Sequence, residues 1–179
     1  MIRILAVLLT ALALVAPVQP ASAQSDPQNT LVLETTKGNV VIRLRNDIAP
    51  GHAERIKQLA RDGFYNDVPF HRVIPGFMAQ TGDGERGDGR GKSKYPNIKA
   101  EFSQVPFRRG VVGMARASDP NSANCQFFIT YAEAPHLNGQ YTVIGEVVSG
   151  MDNVDKIKKG EPVQDPDRIT RAFVQADKK

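Results

Sequence analysis

The most informative stretch of this chain reads Phe70-His71-Arg72-Val73-Ile74-Pro75-Gly76-Phe77-Met78-Ala79-Gln80. It places one guanidinium, one amide and a row of apolar side chains within a single strand-like run that Pro75 and Gly76 interrupt. By default, an Arg on a strand is expected to form a solvent-exposed ion pair. The role of Arg72 therefore depends on what surrounds this stretch in the rest of the chain.

The flanking sequence consists largely of short strand-like runs. Residues 31–36 and 40–44 are joined around Lys37-Gly38, and the second run alternates apolar and outward-facing positions with a period of two. This pattern predicts an antiparallel hairpin with one buried face. Further short apolar runs are broken by Gly, Pro and Asn, and they span 68–77, 107–114, 126–130, 141–148 and 169–175.

Two helices are predicted between and after these runs. Residues 50–62 carry an apolar stripe at helical spacing, with Pro50 in the first turn. Residues 151–159 form the second helix, with Ser149 as the expected N-cap and Gly160 at its end. Many short strands with two separate helices are typical of an antiparallel barrel or sandwich with helical caps, and composition does not choose between the two.

The N-terminus has the pattern of an export signal. Arg3 provides a positive charge, residues 4–16 are apolar apart from Thr10, and Ala21-Ser22-Ala23 offers a small-residue cleavage site. An apolar run of this length is too short to span a bilayer, which requires about 20 residues. We therefore predict a signal peptide over 1–23, and no stable membrane insertion after cleavage. An uncleaved anchor that tethers a scaffold protein is the alternative.

Cleavage after Ala23 leaves 22 basic and 19 acidic side chains, a net charge of +3. This small charge is spread along the chain and argues neither for nor against nucleic acid. No nucleic-acid partner is expected. The single Cys125 cannot form an internal disulfide, so the core alone must stabilise the domain. We predict a flexible tail over 24–29 and a single domain over 30–179. The expected state is a monomer in the periplasm, with secretion as the alternative.

A second motif, Gln126-Phe127-Phe128-Ile129, follows the opening stretch at some distance. Together the two motifs resemble the active-site signature of the cyclophilin family, and the resemblance runs from about Leu31 to Val174. It implies a mainly β fold, a closed eight-stranded antiparallel β-barrel with an α-helix over each open end. It also implies a peptidyl-prolyl cis-trans isomerase.

The chemistry of this reaction explains why an Arg is needed. Rotation about a peptide bond is opposed by about 18–20 kcal/mol of partial double-bond character, and no bond is made or broken. In the twisted state the proline nitrogen gains a lone pair and becomes a hydrogen-bond acceptor. A fixed, charged donor aimed at that nitrogen stabilises the transition state more than the ground state. Arg72 is therefore the expected catalytic residue, and neither metal nor cofactor is expected.

The resemblance also supplies the remaining candidate site residues. The apolar pocket for the proline ring comprises Phe77, Met78, Phe128 and Leu137. The two amides of Gln80 and Gln126 are expected to hold a peptide carbonyl or to orient Arg72. Ala115 and Arg116 match the segment whose backbone pairs with bound peptide, and the Arg116 side chain is expected to be solvated.

Two positions depart from the pattern of cyclosporin-sensitive members. His136 stands where those proteins usually carry Trp, and Tyr141 stands where they usually carry His. The imidazole is smaller than an indole and more polar, and it lacks the indole N–H in that position. We therefore expect proline binding to survive and cyclosporin binding to be weak.

The remaining motifs give weaker evidence of function. Gly91-Lys92-Ser93 imitates the end of a phosphate-binding loop, but the required first glycine falls at Arg86. The acids of this glycine-rich segment lack the spacing of a calcium loop, so an exposed loop beside the site is expected. The three histidines, His52, His71 and His136, are too scattered for a metal triad.

The expected substrates are proline-containing segments of unfolded or partly folded exported proteins. One alternative belongs to a different class: a chaperone or recognition module that binds proline-containing segments and whose isomerase activity is incidental. The same groove would serve both functions. The alternatives differ in how much catalysis, as opposed to binding, depends on Arg72.

Overall fold

The computed structural model of the protein describes residues 26–178, so the predicted export signal lies outside the described residues. Within that range no helix is both long enough and apolar enough to cross a membrane. The two helices are α1 (Pro50–Arg61) and α2 (Met151–Asp155). The strands are β1 (Thr30–Thr35), β2 (Gly38–Leu44), β3 (Val68–Pro69), β4 (Arg72–Ile74), β5 (Met78–Thr81), β6 (Val111–Met114), β7 (Phe127–Thr130), β8 (Val143–Ser149) and β9 (Arg168–Val174).

All nine strands belong to one antiparallel sheet with the order β3-β9-β1-β2-β8-β6-β7-β5-β4. The mainly β class and the two helices match expectation, but the predicted closed eight-stranded barrel is replaced by a nine-stranded half-barrel. The run predicted over 68–77 is split. Pro69 lacks an N–H group, and the backbone of Phe70 and His71 pairs elsewhere, with Asp167 and Val163. The edge strands β3 and β4 are neighbours in sequence, but within the described residues they lie at opposite ends of the strand order and do not pair with each other.

The hairpin, the first helix and the start of the second helix at Met151 are confirmed, whereas the N-cap predicted for the second helix is wrong. Ser149 is the last residue of β8 and pairs with Val41, so it does not cap α2. Gly150 occupies the cap position with φ of 84°, and a Cβ there would lie 2.1 Å from the carbonyl oxygen of Asn39. Only glycine fits this position without strain. The helix ends at Asp155, earlier than predicted.

The residues described from the predicted N-terminal tail form a short turn. Pro27–Asn29 is a 3-10 helix, and the Asp26 carboxylate accepts from the Gln28 backbone N–H at 3.0 Å. The Lys57 ammonium of α1 reaches the Asn29 side-chain oxygen at 3.3 Å. This part of the segment 24–29 is therefore a capped turn beside α1, which differs from the flexible tail predicted there.

Two apolar clusters fill the interior. The larger one lies between α1 and the inner face of the sheet, where Val40, Ile42 and Leu44 point inward as their alternation predicts. The smaller cluster includes Phe107, Phe128 and Val143 and lies below the predicted site. The rings of Phe107 and Phe128 stack with centroids 5.7 Å apart. Burial of each of these rings contributes about 2–3 kcal/mol to the stability of the fold. The residues below the site therefore form a second apolar core.

The glycine-rich segment from 82 to 93 is wrapped around one buried carboxylate. Most of its side chains are exposed, as predicted, but Asp83 is only 1% exposed. Its Oδ1 accepts from the Arg86 N–H at 2.9 Å, and its Oδ2 accepts from the N–H groups of Gly89 and Gly91 at 2.8 and 2.9 Å. A Cβ at Gly91 would lie 2.0 Å from this carboxylate, which explains the glycine.

The environment of Asp83 sets how the loop responds to acid. Burial alone raises the pKa of the Asp83 carboxyl, but the hydrogen bonds from backbone N–H groups outweigh it and leave the pKa below its ordinary value. A carboxyl group with a lowered pKa stabilises the folded state above its unfolded pKa of about 3.9. That stabilisation is lost as pH falls through the lower, folded pKa.

We predict that Asp83→Asn lowers the free energy of unfolding by about 1–3 kcal/mol, because an amide nitrogen would face backbone donors that need an acceptor. The loss should be largest near neutral pH and should shrink below about pH 4. Urea unfolding at several pH values measures it. Asp88→Asn, in the same loop but with an exposed carboxylate, is the matched control and should cost less. Equal stability of Asp83→Asn and wild type would contradict this account.

Candidate active site

A single row across the sheet brings the predicted polar and apolar groups together. Arg72 on β4 pairs with Gln80 on β5, Gln80 pairs with Phe128 on β7, and Phe128 pairs with Gly113 on β6. Directly paired residues point to the same face of a sheet. The next row along the strands is formed by Val73, Ala79, Ile129 and Val112, and it is buried in the core on the opposite face.

Gly113 makes room for the aromatic floor of this row. A Cβ at Gly113 would lie 2.4 Å from the Phe128 ring and 2.6 Å from the Phe107 ring. Any side chain larger than hydrogen would therefore push the two stacked rings apart. The sequence indicates Phe128 as a site residue but gives no signal for Gly113, because the contact exists only across paired strands.

Ten of the eleven predicted site residues line one pocket of about 290 Å³. Its base is apolar and buried, and Arg72 stands at its rim with 38% of its side chain exposed. The pocket therefore combines an apolar base with the Arg72 guanidinium at its mouth, and a second guanidinium, that of Arg116, also lines it. Its lining consists of Arg72, Phe77, Met78, Gln80, Ala115, Arg116, Phe128, His136, Leu137 and Tyr141.

Aromatic contacts form the walls of this pocket. The Tyr141 ring meets the Phe128 ring edge to face at a centroid distance of 5.8 Å. The His136 ring is tilted against the Phe77 ring at 5.4 Å. Ring pairs at these distances stabilise each other by about 0.5–1.5 kcal/mol beyond their buried area. The two positions that depart from the family pattern thus both belong to the wall.

The Arg116 side chain, predicted to be solvated, is half-buried and held by contacts with a ring and with carbonyl groups. Its guanidinium lies 4.5 Å from the Tyr141 ring centroid, and its Nη2 donates to the Gln140 carbonyl at 3.0 Å. Its Nη1 donates to the carbonyl oxygens of Ala117 and Ser118 at 2.8 and 3.2 Å. Five donors in a planar group can satisfy several carbonyl groups at once, which explains why carbonyl groups hold the Arg116 side chain in place.

Gln126 is the predicted residue that lies outside this pocket. It lines a neighbouring pocket of about 260 Å³, which shares Gln80, Ala115 and Arg116 with the first. Gln80 Nε2 donates to Gln126 Oε1 at 3.0 Å, and Gln126 Nε2 donates to the carbonyls of Gly89 and Gly91 at 3.0 and 3.1 Å. The two amides therefore connect the pocket to the glycine-rich loop.

The prediction that the two amides orient Arg72 is wrong, because their hydrogen bonds go to each other and to the glycine-rich loop. Among the described residues, the guanidinium is held by Glu161, whose Oε1 accepts from the Arg72 Nε. Glu161 lies in the segment between α2 and β9, which carries no recognisable motif. Sequence reasoning missed it because the two residues are 89 positions apart and no pattern connects them.

Two buried groups beside the site are not poised for chemistry. Burial lowers the pKa of His71, and neither of its ring nitrogens has a hydrogen-bond partner within the described chain. Burial raises the pKa of the Cys125 thiol to about 12, so a thiolate is not formed at neutral pH. Cys125 packs in the core. From residue 26 to 178, no group of three or more His, Cys, Asp or Glu side chains could hold a metal ion.

Comparison with known proteins gives a consistent result. Residues 30–174 match the family model described as cyclophilin type peptidyl-prolyl cis-trans isomerase/CLD. A probable peptidyl-prolyl cis-trans isomerase of Brucella suis is 55% identical over 177 residues, which cover 90% of each chain.

Solved structures agree with this match. A cyclophilin from Hirschia baltica superimposes with a TM-score of 0.80 at 30% identity, over 86% of this chain and 76% of the other. A cyclophilin type isomerase of Cryptosporidium parvum, solved in the presence of the dipeptide Ala-Pro, gives 0.75 at 28% identity, over 81% and 98%. The family match, the relative and the fold lead to the same conclusion: this chain belongs to the cyclophilin-type peptidyl-prolyl cis-trans isomerases.

Proposed function

We propose that the protein accelerates rotation about X–Pro bonds in exported polypeptides, with Arg72 as its catalytic residue. One observation carries the proposal: a guanidinium stands at the mouth of a pocket whose base is apolar and is formed by residues such as Phe77, Met78 and Leu137. A proline ring is small and apolar, so it suits a pocket of this size and lining. The Cryptosporidium relative, crystallised with Ala-Pro, supports a proline-containing ligand.

The mechanism follows from the position of the charge. With the proline ring in the pocket, the Arg72 Nη groups act as donors to the proline nitrogen when the amide twists and its lone pair is released. A planar amide nitrogen is a poor acceptor, so this bond forms mainly in the transition state. Gln80, directly opposite Arg72 in the sheet, binds the substrate backbone through its Oε1 and the one N–H that its bond to Gln126 leaves free. Ala115 and Arg116 present backbone at the edge of both pockets.

The site of action is inferred from the N-terminus. Residues 1–23 have the charge, apolar run and small-residue end of a signal peptide. The proposed setting is the periplasm, where newly exported chains contain X–Pro bonds that isomerise over tens to hundreds of seconds without help. A catalyst there would need neither ATP nor metal, because the reaction only rotates a bond.

We predict that Arg72→Ala lowers kcat/KM by about 10²–10³, the cost of removing one preorganised transition-state donor. A protease-coupled assay on an Ala-Pro peptide measures it. Arg43→Ala is the matched control, because Arg43 also forms an exposed ion pair on a strand, with Glu146, outside the pocket. Retention of activity in Arg72→Ala would refute the assignment. A wild type that binds the peptide without accelerating exchange would favour the recognition module.

A second prediction concerns cyclosporin. The exposed His136 ring provides less apolar area than an indole and lacks its N–H, so we expect weak inhibition of the wild type. His136→Trp should tighten inhibition about tenfold, the effect of one added hydrogen bond with its ring contacts. Inhibition assays on both proteins measure the change. Nanomolar inhibition of the wild type would contradict the prediction.

A third prediction concerns export. When the full chain is expressed in a Gram-negative host, intact-mass measurement of the periplasmic protein should show a chain that begins at Gln24, after loss of residues 1–23. Ala23→Asp should block cleavage, because the site requires a small side chain. Recovery of the unprocessed wild-type chain in the membrane fraction would instead support the tethered alternative.

A further inference from the structure

The Arg72 guanidinium has one hydrogen-bond partner in the described part of the protein, and that partner belongs to a distant segment. Its Nε donates to the Glu161 carboxylate, and the two side chains are 38% and 56% exposed. Both residues line a groove of about 500 Å³ that adjoins the proline pocket along Arg72 and Gln80. The pair therefore lies at the junction of this groove and the proline pocket.

The backbone fixes where Glu161 lies. On one side, Gly160 forms an isolated bridge with Val73, with N–O distances of 2.8 and 2.9 Å in the two directions. On the other side, the Val163 N–H donates to the His71 carbonyl at 3.1 Å. These bonds attach the segment around Glu161 to both residues that flank Arg72. Main-chain contacts thus hold the backbone of Glu161 opposite Arg72, and its side chain reaches the Arg72 Nε from there.

We propose that Glu161 is the positioning residue of the active site: it holds the plane of the Arg72 guanidinium so that its two Nη groups face the proline pocket. The inference rests on the proposed catalytic role of Arg72. A bond from Nε to an acceptor fixes the direction of the planar group and leaves four N–H donors for substrate. Preorganisation of this kind acts on the transition state, because the donor needs no rearrangement when the amide twists.

Neither active-site amide hydrogen-bonds to the Arg72 guanidinium within the described residues. Gln80 stands opposite Arg72, but its Nε2 donates to Gln126, and Gln126 is bound to the glycine-rich loop. The guanidinium is a donor only, so it needs an acceptor such as the Glu161 carboxylate. The exposure of the pair places its strength among surface ion pairs, so its effect on activity should be modest and measurable.

The test compares Glu161→Ala and Glu161→Gln with wild type in steady-state isomerisation. We expect Glu161→Ala to lower kcat about three- to fivefold, the size of one exposed ion pair, with KM nearly unchanged. Glu161→Gln should recover most of kcat, since its amide oxygen still accepts from Nε. Glu146→Ala, which removes the similarly exposed pair with Arg43, is the matched control and should retain wild-type kinetics.

A double variant separates positioning from mere stability. If Glu161 acts through Arg72, the Arg72→Ala/Glu161→Ala variant should be no less active than Arg72→Ala alone. Independent, multiplying losses would overturn the inference, as would wild-type or higher activity of Glu161→Ala. An unchanged melting temperature in Glu161→Ala excludes a general loss of folding. If Arg72→Ala itself remained active, the catalytic role of Arg72 would be refuted. That result is distinguishable from wild-type activity of Glu161→Ala alone, which would refute only the positioning role of Glu161.

Discussion

The register of four neighbouring strands is the constraint on which the rest of the site depends. One row of paired residues, Arg72, Gln80, Phe128 and Gly113, crosses β4, β5, β7 and β6 on one face of the sheet. A slip of one residue in any pairing would send that strand's site residue into the core and a core residue outward. The buried neighbours at Val73, Ala79 and Ile129 oppose such a slip, so the hydrophobic core holds the register of the site.

Other features of the molecule serve this row. Gly113 leaves space for the stacked rings of Phe107 and Phe128, which form the floor of the pocket. The Asp83 carboxylate organises the glycine-rich loop, and the carbonyls of that loop hold Gln126, which in turn holds Gln80. A buried charge and a surface-exposed pocket are thus connected by a short chain of hydrogen bonds. Most side chains of the loop are exposed, yet the buried Asp83 carboxylate determines its conformation.

The sequence predicted those parts of the site that depend on local patterns. Period-two alternation identified the hairpin around Gly38, and the family resemblance that the two motifs carry supplied the residues that line one pocket. What it missed depends on contacts between distant segments. Ser149 looked like a helix cap because its strand pairing with Val41 cannot be read from sequence. Arg116 looked solvated because its carbonyl partners and Tyr141 approach only in the folded chain.

In the proposed mechanism, the charge at the mouth of the pocket acts on the twisted amide and not on ground-state binding. The positioning role of Glu161 depends on this mechanism, because a guanidinium that merely bound peptide would not need its direction fixed. NMR exchange spectroscopy on an Ala-Pro peptide, at saturating protein, separates the two effects. It reports the cis-trans rate constant of bound peptide, while titration in the same samples reports affinity. The account predicts that Arg72→Ala abolishes most of the bound-state acceleration with little change in Kd; a lost affinity with an unchanged bound-state rate would contradict it.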